Sequence, residues 1–206
     1  MKKIILHLCA DIGSDSRYYQ LDDNYKVIKI GVYVGVENFS AFGKIHGVIA
    51  NPPCNEFSTA GYNRDVDTEK GMFLVNHCLR IIKECNPEWW VIENPARGTL
   101  HKFLGKPDYQ YQPWEYGSPW TKHTALWTSE SFVMPRRTYE NWEDVPKNPN
   151  VYVRPSRPKP SLAVFHKNDI RHLPEYDWCK DKIKCDADIR SLCSDGFAKA
   201  LYEANR

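Results

Sequence analysis

Residues 47–61 read GVIANPPCNEFSTAG, and this stretch decides the fold. It opens as a short buried strand over residues 48–50 and stops at Pro52-Pro53, because two consecutive prolines fit neither a strand ladder nor a helix. Cys54 follows at once, so the sequence predicts a stiff turn just past a strand end. Ligands collect at that edge of an open α/β sheet. A buried structural thiol is the alternative, but the polar residues that come after Cys54 favour a reactive site.

Three segments resemble the motifs of one enzyme family. Residues 52–61, PPCNEFSTAG, are similar to the Pro-Cys-Gln-x-Phe-Ser-x-Ala-Gly loop of the DNA cytosine-C5 methyltransferases, with asparagine in place of the glutamine. Residues 89–95, WWVIENP, resemble the family's Glu-Asn-Val motif, and residues 116–119, YGSP, resemble its Tyr-Gly-x-Pro motif. All three follow one another in the family's order. The resemblance covers most of residues 1–130.

The order of predicted elements indicates a Rossmann-like sheet. The strand Lys3–Leu8 is followed by a glycine turn, and a helix with an apolar stripe is predicted from about residue 68 to residue 85. This helix joins the strand before Cys54 to the strand that carries Glu93, so the unit is a right-handed βαβ crossover with both residues at one edge. The predicted fold class is α/β, a doubly wound, mostly parallel sheet of the class I methyltransferase type with a small loop-rich appendage.

Length, charge and cysteine content set further limits. The 206 residues suit one domain with a small appendage, and 42% hydrophobic residues can fill a core. A net charge of +2 predicts no global field for nucleic acid, so any basic surface must be local. Seven cysteines and no secretory or membrane-spanning stretch predict a reduced, cytoplasmic protein of a bacterial or phage-infected cell, without a membrane partner.

The resemblance implies S-adenosylmethionine as cofactor, held by the turn after the first strand. The family sequence there is Asp-Leu-Phe-x-Gly-x-Gly-Gly, and His7 takes the place of the aspartate and Cys9 that of the phenylalanine. An ordinary βα turn is the alternative. A second strand is predicted over residues 25–34, with Gly31 where nucleotide-binding sheets usually carry an acid for the ribose. The predicted cofactor contacts are Asp11, Ile12, Gly13, Ser14, Asn51 and Pro52.

Cys54 and Glu93 suit chemistry at carbon 5 of a pyrimidine. A thiolate adds to carbon 6 and makes carbon 5 nucleophilic, but it needs a nearby cation or base because a free thiol is mostly protonated near neutrality. The resemblance assigns Glu93 to ring N3 and the exocyclic amine of a cytosine. In duplex DNA that base must be flipped out. The predicted substrate contacts are Pro53, Asn55, Phe57, Ser58, Asn94 and Pro95.

Lys122 is the third predicted catalytic residue. The family segment after Tyr-Gly-x-Pro-Gln carries two arginines, and here Trp120 replaces the glutamine, Lys122 falls on the first arginine and Thr124 on the second. A lysine keeps the charge but not the planar fork of arginine. Lys122 is therefore a candidate base or phosphate contact near Cys54, and a solvated surface lysine is the alternative.

The predicted organisation is a catalytic domain over residues 1–130, a shortened loop-rich recognition segment over residues 131–190, and a C-terminal helix over residues 191–206 that returns to the catalytic domain. The middle segment is rich in proline and basic residues, which can contact phosphates, although a solvated irregular surface is the alternative. Three late cysteines lack a paired Cys-x-x-Cys spacing, so no metal is predicted.

These observations predict a compact, phage-like methyltransferase that transfers a methyl group to carbon 5 of cytosine in DNA through a Cys54 adduct. One alternative is the same Cys54 and Glu93 chemistry on a free pyrimidine nucleotide or with another carbon donor. The other is a catalytically inactive relative that binds DNA or protein. The target sequence and oligomeric state are not predicted.

Overall fold

One six-stranded sheet organises the part of the chain that the structure describes. The computed structural model describes residues 1–10, 12–58 and 65–206, so the predicted contact Asp11 and the end of the Cys54 loop lie outside the described residues. The strands are β1 Lys3–Leu8, β2 Tyr25–Ile30, β3 Gly47–Ala50, β4 Trp89–Pro95, β5 Tyr109–Tyr111 and β6 Thr124–Thr128, in the order β2-β1-β3-β4-β6-β5. The first four strands are parallel, and β6 pairs antiparallel with both β4 and β5. This confirms the predicted α/β fold.

Five α-helices accompany the described strands. They are α1 Arg17–Leu21, α2 Thr68–Cys85, α3 His101–Leu104, α4 Asp186–Ser191 and α5 Asp195–Ala204, with short 3-10 turns between residues 113 and 182. The predicted helix α2 is confirmed: the Asp67 side chain caps it by accepting from Lys70 N, and left-handed Asn86 ends it. Ser194 caps α5, as its position before the apolar stripe predicts. No helix among the described residues is long and apolar enough to cross a membrane.

The two faces of the sheet bury different helices, because successive strand residues point to opposite sides. Leu6, Val48 and Ile92 pack in the cluster that contains Val75 and Ile81 of α2. Ile5, Ile49 and Val91 point the other way, into the cluster that includes Phe197 and Leu201 of α5. Both faces of the sheet are thus packed by helices.

A third buried cluster joins the loop-rich segment to the first turn. Ile12, which follows β1, packs with Trp120, Phe165 and Tyr176, and all four are at least 93% buried. Residues 174–193 therefore lie against the glycine turn rather than apart from the sheet.

One predicted strand end was wrong. The predicted second strand extends to residue 34, but β2 ends at Ile30 because its partner β1 ends opposite it at Leu8, and Val32 and Tyr33 are exposed. The fourth strand, predicted to carry Glu93, runs to Pro95 because β6 pairs with it as far as Thr124. This pairing places Glu93 and Asn94 inside the ladder.

Candidate active site

A single tight turn presents Cys54 at the carboxyl edge of β3. The Cys54 carbonyl oxygen accepts from Phe57 N at 3.0 Å and from Ser58 N at 2.8 Å. The Phe57 ring is 1% exposed and packs in the core under α2, and its carbonyl accepts from Thr99 N at 2.8 Å. The turn is therefore anchored from below, with Cys54 half-buried above it. Phe57 was a predicted substrate contact, and its burial shows that it is instead a core residue that holds the turn.

Asn94 fixes the spacing between the Cys54 turn and the neighbouring strand. Its side chain is fully buried, and its Nδ2 donates to Pro52 O at 2.9 Å. The strands are in parallel register with Ala50 opposite Ile92, so Cys54 and Glu93 leave the sheet at the same edge. The other predicted substrate residues lie around this edge: Pro53 and Asn55 are exposed, Ser58 is half-buried, and Pro95 is half-buried in β4.

One carboxylate oxygen of Glu93 accepts a hydrogen bond from a described residue, and the other accepts none. Its Oε2 accepts from Asn51 Nδ2 at 3.4 Å. Its Oε1 is buried, lies 3.6 Å from Lys122 Nζ and accepts no hydrogen bond from any described residue. A buried acceptor without a donor costs free energy, so such an atom is either strained or reserved for a ligand.

Lys122 supplies a positive charge beside this carboxylate. It lies just before β6, where its backbone N donates to Gln112 Oε1 at 3.1 Å. Burial acts to lower the pKa of the Lys122 ammonium, but the nearby negative charges of Glu93 and Asp15 outweigh it and raise the pKa above its usual value. Cys54 adds to the same effect, so the Cys54 sulfur lies within electrostatic reach of Lys122. The structure thus brings the three predicted catalytic residues to one place.

The surroundings of several other cysteines make them poor nucleophiles. Burial raises the pKa of the Cys85 thiol to about 11 and also raises the pKa of Cys179. Burial, together with the charge of Asp15, raises the pKa of Cys193 well above its usual value. All seven cysteines lie in the described part of the chain, and none of them is in a disulfide. Within the same part of the chain, no group of three or more His, Cys, Asp or Glu side chains is arranged to hold a metal ion.

A buried polar network behind Glu93 was missed by the sequence reasoning. His7 Nε2 lies 2.7 Å from Asn51 Oδ1, and His7 Nδ1 lies 2.8 Å from Ser16 Oγ. Asn51 Nδ2 also donates to Asp15 Oδ1 at 3.3 Å. The available signal was a histidine in an apolar strand, followed by a polar turn that carries Asp15 and Ser16.

The predicted cofactor turn has the required backbone but is filled by its own chain. Gly13 has a φ of +78°, the left-handed conformation that favours glycine. A Cβ atom there would lie 2.5 Å from Lys29 Nζ, and that ammonium donates to Ile12 O at 3.3 Å. Ser14 Oγ accepts from Cys193 N at 2.9 Å. Of the predicted cofactor contacts in the described part of this turn, Ile12 and Ser14 therefore make internal contacts.

The charges at the end of β2 also differ from those expected for a site that binds S-adenosylmethionine. No carboxylate follows the strand at Gly31, and Glu37 lies in a later 3-10 turn. Lys29 instead brings a positive charge toward the turn, while S-adenosylmethionine carries its own positive charge on sulfur. Pro52 and Asn51 are also engaged, by Asn94 and by the His7 network. Among the described residues, these contacts set the turn apart from the cofactor loop that the resemblance implies.

The fold is that of the α/β Rossmann-like methyltransferases. A solved E. coli structure assigned as a DNA modification methyltransferase encoded within a prophage superposes with a TM-score of 0.50 and 15% identity, covering 76% of this chain and 56% of that one. The parallel sheet, with Cys54 and Glu93 at its carboxyl edge, lies within that architecture.

Residues 19–103 match the model of the C-5 cytosine-specific DNA methylases. The type II methyltransferase M.AquIA of Picosynechococcus is 41% identical over 59 residues, which cover 29% of this chain and 23% of that protein. The type II methyltransferase M1.HgaI of Avibacterium volantium is 26% identical over 133 residues, covering 58% of this chain and 37% of that protein. The chain thus spans less than half the length of these relatives. The family match includes Cys54 and Glu93 but not the glycine turn or Lys122.

Proposed function

We propose that this chain modifies carbon 5 of cytosine in DNA through a covalent adduct between Cys54 and carbon 6. The family match over residues 19–103 supports the reaction class. One observation carries the proposal: Glu93 Oε1 is buried, lies 3.6 Å from Lys122 Nζ, and has no donor among the described residues. The exocyclic amine of a cytosine at this edge supplies the missing donor.

The protein's part in the reaction is addition and its reversal. The Cys54 thiolate forms a bond to carbon 6, and the displaced π electrons move to carbon 5 and ring N3. Glu93 takes up a proton when the cytosine binds, accepts a hydrogen bond from the exocyclic amine and passes that proton to N3. After carbon 5 is substituted, its hydrogen leaves as a proton. The bond from sulfur to carbon 6 then breaks, and N3 returns its proton to Glu93.

The Lys122 ammonium stabilises the negative charges that form on Glu93 and on the Cys54 sulfur during this reaction. Its raised pKa keeps the ammonium charged at neutral pH, beside Glu93 and within electrostatic reach of Cys54. A fixed cation near a sulfur favours the thiolate over the thiol. It also offsets the charge that returns to sulfur when the adduct breaks, which is the kind of preorganised electrostatic stabilisation enzymes rely on.

The substrate and carbon donor are finer parts of the same proposal. We propose DNA with a flipped-out cytosine, supported by the family match and by exposed basic side chains in the loop-rich segment, among them Arg136, Arg154 and Arg157. For the donor we propose S-adenosylmethionine, which supplies an electrophilic methyl group when bound. The family match alone supports this donor, and no step is assigned to Ile12, Gly13 or Ser14. We propose that the protein acts in the cytoplasm of a bacterial or phage-infected cell.

Exchange of the cytosine carbon-5 hydrogen tests the proposal without any donor. The adduct takes up and loses protons at carbon 5, so the wild-type protein should release tritium from DNA labelled at that carbon. Cys54→Ala should abolish release while the thermal midpoint is unchanged, because Cys54 is only half-buried. Release from a free cytidine nucleotide but not from DNA would favour the nucleotide alternative. No release from either by the folded protein would leave the binding-protein alternative.

A further inference from the structure

We infer that His7 and Asn51 are positioning residues, which together aim the Glu93 carboxylate at the base. The inference rests on the proposed function, because it concerns how Glu93 is held for that reaction. It adds two residues that do not touch the substrate. Both belong to a chain of buried hydrogen bonds that runs from Ser16 through His7 and Asn51 to Glu93.

The orientation of the Asn51 amide follows from what surrounds it. Its Nδ2 faces two carboxylate oxygens, Asp15 Oδ1 at 3.3 Å and Glu93 Oε2 at 3.4 Å. Ionised carboxylates only accept hydrogen bonds, so the amide must turn its NH₂ group toward them. A 180° rotation would place Asn51 Oδ1 against two acceptors and leave all three oxygens without a donor.

His7 selects that orientation from the other side. Its ring is 1% exposed, and Nε2 lies 2.7 Å from Asn51 Oδ1. Because Oδ1 is an acceptor, Nε2 must carry a proton. Ser16 Oγ, which is fully buried, lies 2.8 Å from Nδ1 and keeps the ring from turning. The hydrogen bond that His7 Nε2 donates to Asn51 therefore orients the amide so that Asn51 Nδ2 donates to Glu93.

The residue type at position 7 decides the outcome. The sequence resemblance places an aspartate there, and an aspartate can only accept. It would draw Asn51 Nδ2 to itself and turn Oδ1 toward Glu93. With His7, Glu93 Oε2 receives a hydrogen bond, and Oε1 is left open beside Lys122. The Glu93 carboxylate is thus held in one orientation, with Oε1 facing the site.

A pair of variants at His7 tests this arrangement. In His7→Gln the amide nitrogen falls near the place of Nε2 and still reaches Asn51, whereas His7→Asn is too short and keeps only the Ser16 side. We expect His7→Asn to lower the maximal rate of tritium release about tenfold with little change in KM for DNA, as loss of one orienting hydrogen bond would do. His7→Gln should recover most of that loss. Equal rates in the two variants would overturn the inference.

The control is another buried histidine, remote from the site. His46 is 7% exposed and pairs with Glu88 at 2.8 Å, before β3 and β4 begin. His46→Asn should lower the thermal midpoint as much as His7→Asn does, but leave tritium release at the wild-type rate. A fall in release with His46→Asn equal to that with His7→Asn would reduce the His7 effect to stability and overturn the inference.

A second measurement separates this inference from the proposed reaction. The ¹⁵N shifts of the His7 ring should show a proton on Nε2 in the resting protein, whether or not the chain releases tritium. The side-chain amide protons of Asn51 should be protected from exchange in wild type and in His7→Gln. In His7→Asn their signals should shift. Failure of tritium release with these signals present would count against the reaction alone. A His7 ring protonated only at Nδ1 would overturn the positioning role.

Discussion

The Asn94 side chain donates a 2.9 Å hydrogen bond to the carbonyl oxygen of Pro52. This bond joins β4 to the turn that carries Cys54, and it lies where water does not compete, because Asn94 is fully buried. Two prolines in succession leave the turn few hydrogen bonds of its own. The Asn94 amide therefore helps to set the distance between the cysteine and the carboxylate, together with the buried Phe57 ring under the turn.

Removing that amide should loosen the site as well as the fold. Asn94→Ala leaves Pro52 O buried without a donor, so we expect the free energy of unfolding to fall by about 1–3 kcal/mol. Tritium release should fall too, because Cys54 is no longer held at a fixed distance from Glu93. Denaturant unfolding and the release assay measure the two effects. Asn24→Ala, which removes an exposed bond to Asp22, is the control and should change neither.

Tritium release should depend on the positive charge of Lys122 and less on the length of its side chain. We expect Lys122→Met to lower tritium release by roughly a hundredfold, because Glu93 and Cys54 lose the fixed cation that preorganises the site. Lys122→Arg should recover part of the rate. Similar rates for the methionine and arginine variants would contradict an electrostatic role.

The raised pKa of Lys122 also predicts how stability depends on pH. A lysine whose pKa is higher in the folded protein stabilises the fold below the unfolded value, about 10.4, and loses that contribution as pH rises through the folded value. The difference in unfolding free energy between wild type and Lys122→Met should thus stay level up to about pH 10 and shrink above it. Denaturant unfolding from pH 7 to 11.5 measures this difference. A difference that grows over that range would show that the sign is wrong.

Lys29 should weaken the binding of a cationic methyl donor. Burial and the charge of Lys182 already lower the pKa of Lys29, and its ammonium fills the space over Gly13. We expect Lys29→Ala to tighten S-adenosylmethionine binding roughly fivefold by removing a like charge. Calorimetric titration measures this, with S-adenosylhomocysteine, whose sulfur is neutral, as the matched ligand that should gain less. Equal gains for both ligands would point to space alone.

Gly196 should be intolerant of any side chain. A Cβ atom there would lie 1.9 Å from Tyr116 O, where α5 crosses the 3-10 turn over Pro113–Tyr116. Gly196→Ala should cost about 2–4 kcal/mol in unfolding free energy, since helix and turn must separate. Lys199→Ala, exposed on the same helix, should stay near wild type. A Gly196→Ala protein as stable as wild type would show that α5 can shift without loss.

The sequence predicted those features that have a local cause. β1 was predicted at its observed bounds because a run of apolar residues stands before a polar turn, and α2 was predicted because a stripe and a cap coincide. The edge shared by Cys54 and Glu93 followed from the parallel crossover between β3 and β4. The burial of Phe57 did not follow, because a turn's sequence does not say which of its side chains folds inward.

The network behind Glu93 could not be read from the sequence because its members meet only across strands. His7 and Asn51 are 44 residues apart, and the pairing of β1 with β3 brings them together. The surroundings of the first turn depend on still more distant residues, such as Cys193 and Tyr176. A motif reports the residues of a loop, whereas the space available for a ligand is set by what packs over it.

The hydrogen bond from Cys193 N to Ser14 Oγ spans 179 positions of sequence, and the ion pair of Arg17 with Asp195 runs beside it. Contacts between residues so far apart form late and slowly, because loop-closure entropy must be overcome first. On the ribosome, the strands that carry Cys54 and Glu93 emerge long before Cys193 does. The nascent chain therefore holds Cys54 in an incomplete setting, and we expect the candidate site to be complete only once residues 174–195 have docked.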